Sequence, residues 1–357
     1  MRRLVLTVIL RLGRYAVLPV VATACAMLVV WPLALDRYAL AALATAPIMF
    51  CVVTAAVALG LGILLLPTRK DRMPKSDETS APGLWRIWKE LDPAFARSRR
   101  TLLIDTNLNA SIGEESRYGG MFRPHVTMTV GLPLLMILDE RALRAVVAHE
   151  VAHAQLRHTS GGANLFDFLS ASENVLHYAN PDRTITGRIA HALLHSMLEW
   201  LTREHRALSR ENELCADARA AEQLGCGEMA RALLLMEGAT TRLSELVFAP
   251  LEKEMLGAIN APEPPLRRMS RSLDDLRAPE ALAAAAATGL VKNEEPDGTH
   301  PSFAKRLANL GYTALPLIDA IDSPAIDRVL SNEFARELST RFDNEWRRSA
   351  QMLVGIG

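Results

Sequence analysis

The sequence predicts a mostly helical α+β fold with a small β-sheet, preceded by an N-terminal helical hairpin that crosses a membrane. Three observations carry this. Tyr15 to Leu35 and Tyr38 to Leu66 are unbroken apolar runs of 21 and 29 residues, each at or beyond the roughly 20 residues that a bilayer core requires. Apolar residues then recur at helical spacing from about Asp139 to His158 and from about Thr184 to Leu224. Only Leu102-Leu103-Ile104 and Val126 to Val130 read as strands.

The two apolar runs are separated by Asp36 and Arg37 alone, so the hairpin has a very short outer turn. No soluble core helix needs continuous apolarity on every face. Pro19, Pro32 and Pro47 bend such helices without abolishing them. A cleaved signal is the competing reading of the first run, with small residues at Ala22-Thr23-Ala24-Cys25, but Met27 to Leu35 continues apolar and a second run follows at once. Basic residues flank the pair on one side, Arg2, Arg3, Arg11 and Arg14 before it and Arg69, Lys70, Arg72 and Lys75 after it. That asymmetry places the N-terminus and everything after the hairpin in the cytoplasm, in a membrane of the bacterial inner type.

The resulting division is residues 1–67 for the hairpin, 68–83 for a polar, proline-bearing linker and 84–357 for one catalytic domain. The chain has a formal net charge of zero, which gives no reason to expect a nucleic-acid partner. Its four cysteines show no Cys-x-x-Cys spacing, so neither a disulfide framework nor a sulfur-rich metal site is indicated. Leu84, Trp85, Ile87, Trp88 and Leu91 form an amphipathic stripe, read as a helix packed on the catalytic domain in preference to one resting among lipid headgroups.

Within the first periodic helix, Val147-Ala148-His149-Glu150-Val151-Ala152-His153 sets two imidazoles one turn apart. Residues four apart lie about 40° apart around a helix, so both ring nitrogens reach one ion, and Glu150 flanks its open position. That is the arrangement of a hydrolytic zinc, with Glu150 as the base that deprotonates water. Asp139 is the N-cap and Glu140 suits the first turn. A catalytic zinc takes a third protein ligand. The metzincin solution would need glycine and histidine where this chain has Leu156 and Thr159, and His158 points away around the helix. Glu213 and Asp217, four apart on the second periodic helix, supply an alternative: Glu213 as ligand and Asp217 as acceptor for a ligating imidazole. His191, His195 and Glu199 repeat along one helix face and do not surround an ion.

His149-Glu150-x-x-His153 followed by Glu213-x-x-Ala216-Asp217 after Ser209-Arg210 resembles the membrane metallopeptidase family of HtpX and the CAAX prenyl endopeptidases. Asn109-Ala110, ahead of Val126 to Val130, is similar to that family's Asn-Ala signature before its active-site edge strand, and Thr299-His300-Pro301 with Arg306-Leu307 resembles its late His-Pro-x-x-x-x-Arg element. The chain departs from the pattern at Ala110-Ser111-Ile112, where relatives carry an aromatic residue. The resemblance implies a zincin-like metallopeptidase domain, with one zinc ion bound by His149, His153 and Glu213. It makes Glu150 the general base and places Asp217 behind a ligand. Asn109 would hold the substrate backbone, His300 would stabilise the oxyanion, and Arg306 would lie on the substrate-binding side or serve as a structural charge on the helix after Pro301.

The expected function is a membrane-anchored zinc endopeptidase, in membrane-protein quality control, taking protein or peptide substrates as an extended strand added to a sheet edge. Its non-peptide partner is the lipid bilayer. A zinc-stabilised membrane scaffold without turnover is the alternative from another class, and it would have no use for Glu150. A prenyl-peptide endopeptidase needs an enclosed chamber that two spans cannot build. Between Asn164 and Leu208 the charges Asp167, Glu173, Arg183, Arg188 and Glu199 exclude a third span, so the site is not expected inside the membrane. The last fifty residues are read as helical.

Overall fold

The computed structural model describes residues 2–65, 73–115, 125–160, 162–178, 185–292, 298–321 and 323–354. Expectations placed on Arg69, Lys70 and Arg72, on the break at Asn180-Pro181 and on most of the loop from Lys292 to Gly298 lie outside those residues, as does the side chain of His158. The helical elements are α1 (Arg2–Leu12), a 3₁₀ turn (Gly13–Val17), α2 (Leu18–Leu65), α3 (Pro82–Leu91), α4 (Leu132–Ile137), α5 (Glu140–Ser160), α6 (Gly162–Tyr178), α7 (Ile185–Leu224), α8 (Cys226–Leu243) and α9 (Ala249–Met255). After them come α10 (Pro265–Arg271), α11 (Leu273–Arg277), α12 (Pro279–Leu290), α13 (Phe303–Asn309), α14 (Ala325–Val329) and α15 (Asn332–Val354). The strands are β1 (Lys75–Ser76), β2 (Arg99–Asp105), β3 (Ala110–Glu115) and β4 (His125–Gly131).

The chain forms two compact units, one of residues 1–71 with 156–209 and the other of residues 72–155 with 210–357. Within the range 84–357 expected as one domain, Leu156 to Ser209 clusters with the N-terminal helices. The reason is visible in the packing. Leu165, Phe168, Leu169, Ala171 and Val175 of α6 and Leu201 of α7 bury together with Ile9, Val17 and Ile63. Arg14 holds Asp167 through its Nε and NH2 at 3.0 and 2.5 Å, which satisfies a charge that would otherwise interrupt an apolar contact.

α2 is helical throughout, including Asp36-Arg37, where a turn was expected. Its path nevertheless reverses. A methyl group built on Gly60 would fall 2.2 Å from Val21 Cγ2, whereas a straight helix would hold those residues roughly 58 Å apart. Within this unit Leu4, Val20, Val30, Leu33, Leu43, Phe50 and Leu65 turn outward. One stretch among the described residues, Arg3–Met27, is long and apolar enough to cross a membrane, beginning earlier than the run read from Tyr15.

The second unit is built around a four-stranded sheet in the order β1-β2-β4-β3. β2 and β4 run parallel, from Arg99 opposite His125 to Asp105 opposite Gly131. β3 pairs antiparallel with β4, Ala110 opposite Val130 and Ile112 opposite Met128. β1 pairs with β2 through Lys75 and Ser76, and α3 starts at Pro82, so the segment 68–83 is not a free linker at its described end. On β4, Val126, Met128 and Val130 all point into the core, the period of two expected of a half-buried strand.

α3 packs on this unit as expected. Leu84, Ile87, Trp88 and Leu91 are buried among Leu102, Ile104 and the α4 side chains, which keeps the stripe away from solvent and lipid alike. Gly131 closes β4: a Cβ there would lie 1.6 Å from the Asn107 carbonyl oxygen, so only glycine lets the loop before β3 pass. The C-terminal part is not uniformly helical, because residues 311–321, 323 and 324 between α13 and α14 form no helix.

Candidate metal centre

Two helices position the chemistry. α5 begins where Asp139 Oδ1 accepts the Ala142 N–H at 2.8 Å, the N-cap read from the sequence. The same carboxylate is held by Arg231 of α8 at 3.1 and 2.5 Å, and Arg231 is almost wholly buried. Burial alone would raise the Asp139 pKa, but the Arg231 guanidinium and the Ala142 N–H outweigh it and hold it low. The start of the motif helix is therefore fixed from two sides.

On α5, His149 and His153 are buried, their rings 4.5 Å apart between centroids and nearly perpendicular. Glu213, buried on α7, brings Oε2 to 3.5 Å from His149 Nε2 and Oε1 to 3.0 Å from His153 Nε2. The ligand atoms of His149, His153 and Glu213 all lie within 4.8 Å of one another. They are the one group of three such residues, among those described, able to hold a metal ion. His191, His195 and Glu199 form no such group. Their contacts are a ring stack of 4.8 Å and an exposed pair at 3.3 Å.

The donor set fits a divalent cation. Ligands about 2.0–2.2 Å from a tetrahedral ion stand roughly 3.3–3.6 Å from each other, close to the spacing seen here. His153 Nε2 and Glu213 Oε2 are buried and make no hydrogen bond. Buried polar atoms left in that state cost about 1–3 kcal/mol each, a penalty a bound cation removes. Flanking residues Ala148, Ala152 and Ala216 are small and buried, so the helices crowd no bulky side chain into the site.

Asp217 stands behind the histidines with no exposure at all, its Oδ1 2.9 Å from His149 Nδ1. Arg306 of α13 grips that carboxylate through Nε at 2.8 Å and NH2 at 2.6 Å. The same guanidinium reaches 3.5 Å from both Glu213 Oε2 and His149 Nε2. Asn309, one turn on, donates to the Leu214 carbonyl at 2.9 Å and ties α13 to α7 again. Arg306 was expected on the substrate side or as a structural charge. Its fork is occupied by Asp217, which sets the guanidinium beside the ligands.

Electrostatics follow from this crowding. Burial lowers the His149 pKa, but the Asp217 and Glu213 carboxylates overcome it and raise the ring to about 9. Burial likewise opposes the Glu213 charge, and the three imidazoles with Arg306 more than compensate, holding the carboxylate well below its ordinary range. Asp217 is lowered for the same kind of reason by Arg306 and His149.

His300 brings Nδ1 to 2.9 Å from Glu213 Oε1, while its side chain is 68% exposed. It thus stands at the rim, beside the ligand and open to an incoming group. Glu150 is half-buried on the face next to His149 and close enough to Arg306 to influence it electrostatically. Asn109 is exposed at the entrance to β3, where its Oδ1 accepts the Ala110 N–H at 2.8 Å and its carbonyl accepts the Gly131 N–H. The contacts described for Asn109 do not include His149, His153 or Glu213.

Among the described residues Val126 to Val130 lies between β2 and β3, and β3 follows directly after Asn109. The signal for β3 was available, since buried Ala110 and Ile112 alternate with exposed Ser111 and Gly113. The Arg231 clamp on Asp139 left no such signal, because it joins residues with no fixed spacing.

Fold and site together are those of a peptidase family with a candidate metal centre. The chain belongs to Peptidase family M48, whose sequence profile matches residues 108–314, well over half its length. None of the curated proteins matches it. Among solved structures it is similar to the crystal structure of S. mikatae Ste24p, at 15% identity and a TM-score of 0.35. That likeness covers 82% of this chain and 63% of the other, so this chain spans less than two thirds of that relative's length.

Proposed function

We propose that the protein is a membrane-anchored, zinc-dependent endopeptidase that cleaves protein or peptide substrates bound as an extended strand. The observation that carries this reading is the buried convergence of His149, His153 and Glu213 within 4.8 Å, with Glu150 next to His149 on the same helix. His149, His153 and Glu213 hold one zinc ion, and the ion when bound supplies Lewis acidity and an acidified water.

Glu150 accepts the proton of the attacking water and returns it to the leaving amine. His300, exposed at the rim, donates a hydrogen bond to the oxyanion that forms at the scissile carbonyl, an interaction that contributes about 3 kcal/mol in comparable sites. Asp217 Oδ1 faces His149 Nδ1 at 2.9 Å and so leaves Nε2 turned toward the ion. A substrate strand binds extended along the sheet, with Asn109 at the entrance to β3.

The outward apolar side chains of α1 and α2 support an anchor in the bilayer, and basic Arg2, Arg3, Arg11 and Arg14 support a cytoplasmic N-terminus. A bacterial inner membrane and a part in membrane-protein quality control fit that orientation. The test is cleavage of an unfolded, membrane-tethered reporter by the wild type and by Glu150→Gln, with bound metal measured on both. Loss of turnover with metal retained is expected. Equal turnover at equal metal content removes Glu150 from the mechanism, and absence of zinc from active protein removes the cofactor.

A further inference from the structure

α15 carries an apolar stripe that outruns its cover. Leu338 and Phe342 are buried in the core, and the same face continues through Trp346, Ser349, Ala350 and Leu353. There, with Leu251, Met255 and Leu256, it lines an open groove of about 510 Å³ whose walls are nearly all apolar. The turn after α9 projects past this groove. Leu256 is 90% exposed and Ile259 87%, and Met352 and Leu353 are exposed beside the helix end.

Exposed aliphatics in such a cluster mark a contact surface. A partner helix seated in a groove needs its strongest apolar contacts on the floor. Here the most exposed aliphatic side chains stand out from a turn, the shape that enters the boundary between lipid headgroups and acyl chains. The charge around them agrees. Lys253, Arg347 and Arg348 occupy the same two segments, and the neighbouring acids Glu254, Asp343 and Glu345 are taken by Arg268, Arg267 and Arg341, leaving Glu252 against three cations. That balance complements an anionic lipid surface.

We propose that the turn after α9 and the C-terminal end of α15 form a second, interfacial contact with an anionic bilayer, through Leu256, Ile259 and Leu353. The proposal rests on the reading that the N-terminal helices are membrane-embedded, which keeps a bilayer within reach of the chain. It goes beyond that reading because it commits the catalytic unit's own surface to lipid.

The experiment uses the full chain in vesicles of phosphatidylethanolamine and phosphatidylglycerol, with or without brominated acyl chains. The emission of Trp346 is taken as the difference between the wild type and Trp346→Phe. Brominated lipid is expected to quench that difference at least about twofold, and Leu256→Glu with Ile259→Glu, at positions already open to solvent, is expected to restore it. Equal Trp346 emission in both vesicle types overturns the proposal. A benzophenone side chain replacing Ile259 in native membranes is expected to label lipid, and a discrete adduct with a polypeptide overturns it in favour of a protein partner. Resistance to alkaline carbonate extraction reports on the N-terminal anchor separately, so failure of the anchor and failure of the interfacial contact give different results.

Discussion

Asp217 Oδ1 lies 2.9 Å from His149 Nδ1, and no part of Asp217 reaches solvent. This contact decides which nitrogen of His149 is available. With Nδ1 turned to the carboxylate, Nε2 faces Glu213, and a ligand pair is in place before any ion arrives.

Asp217→Asn is accordingly expected to weaken metal binding about 10- to 100-fold and, because it takes the charge from the buried Arg306 pair, to lower stability as well. Competition against a chromophoric chelator measures it. An unchanged affinity would show that the orientation of His149 is set by packing alone.

Arg306 answers Asp217 with two nitrogens, and lysine cannot reproduce that fork. Arg306→Ala leaves a fully buried carboxylate with His149 alone, a loss of up to about 3–5 kcal/mol by analogy with other buried pairs. Denaturant unfolding of the metal-loaded protein reads the stability. A defect confined to KM, with stability and metal content unchanged, would return Arg306 to the substrate side.

Proton and metal compete at His149. Its pKa of about 9 in the metal-free fold exceeds the ordinary value of 6.5. The stabilisation this represents is complete below about pH 6.5 and fades as pH rises toward 9. Metal-free protein is expected to melt at falling temperature across that window, and metal affinity to strengthen over the same window as the competing proton leaves. Melting curves at several pH values, with chelator and with zinc, provide the check. A flat metal-free profile contradicts the assignment.

At the other end of the motif helix, Asp139→Asn keeps an acceptor for the Ala142 N–H but removes the charge that balances buried Arg231. Asp139→Ala loses both and is expected to be the worse by about 1 kcal/mol, the usual contribution of an N-cap. Because the folded pKa of Asp139 is lowered, its contribution is present at neutral pH and is lost on acidification through that folded value. Chemical denaturation at neutral and acid pH separates the two variants. Identical midpoints would mean that Arg231 finds other partners.

The sequence by itself determined the chemistry. A repeat of four on one helix placed His149 and His153 together, and the same repeat on another paired Glu213 with Asp217, because helical periodicity fixes which side chains share a face. It also determined the N-cap at Asp139 and the strand character of Val126 to Val130, which rest on neighbours in the chain. Only the tertiary structure decided that Ala110 to Glu115 pairs with the outer side of β4 and that Arg306 grips Asp217 beneath the ligands. It alone joined Leu156 to Ser209 with the N-terminal helices. Those outcomes depend on which distant surfaces find each other to bury apolar area and pair charge, and no local spacing encodes that choice.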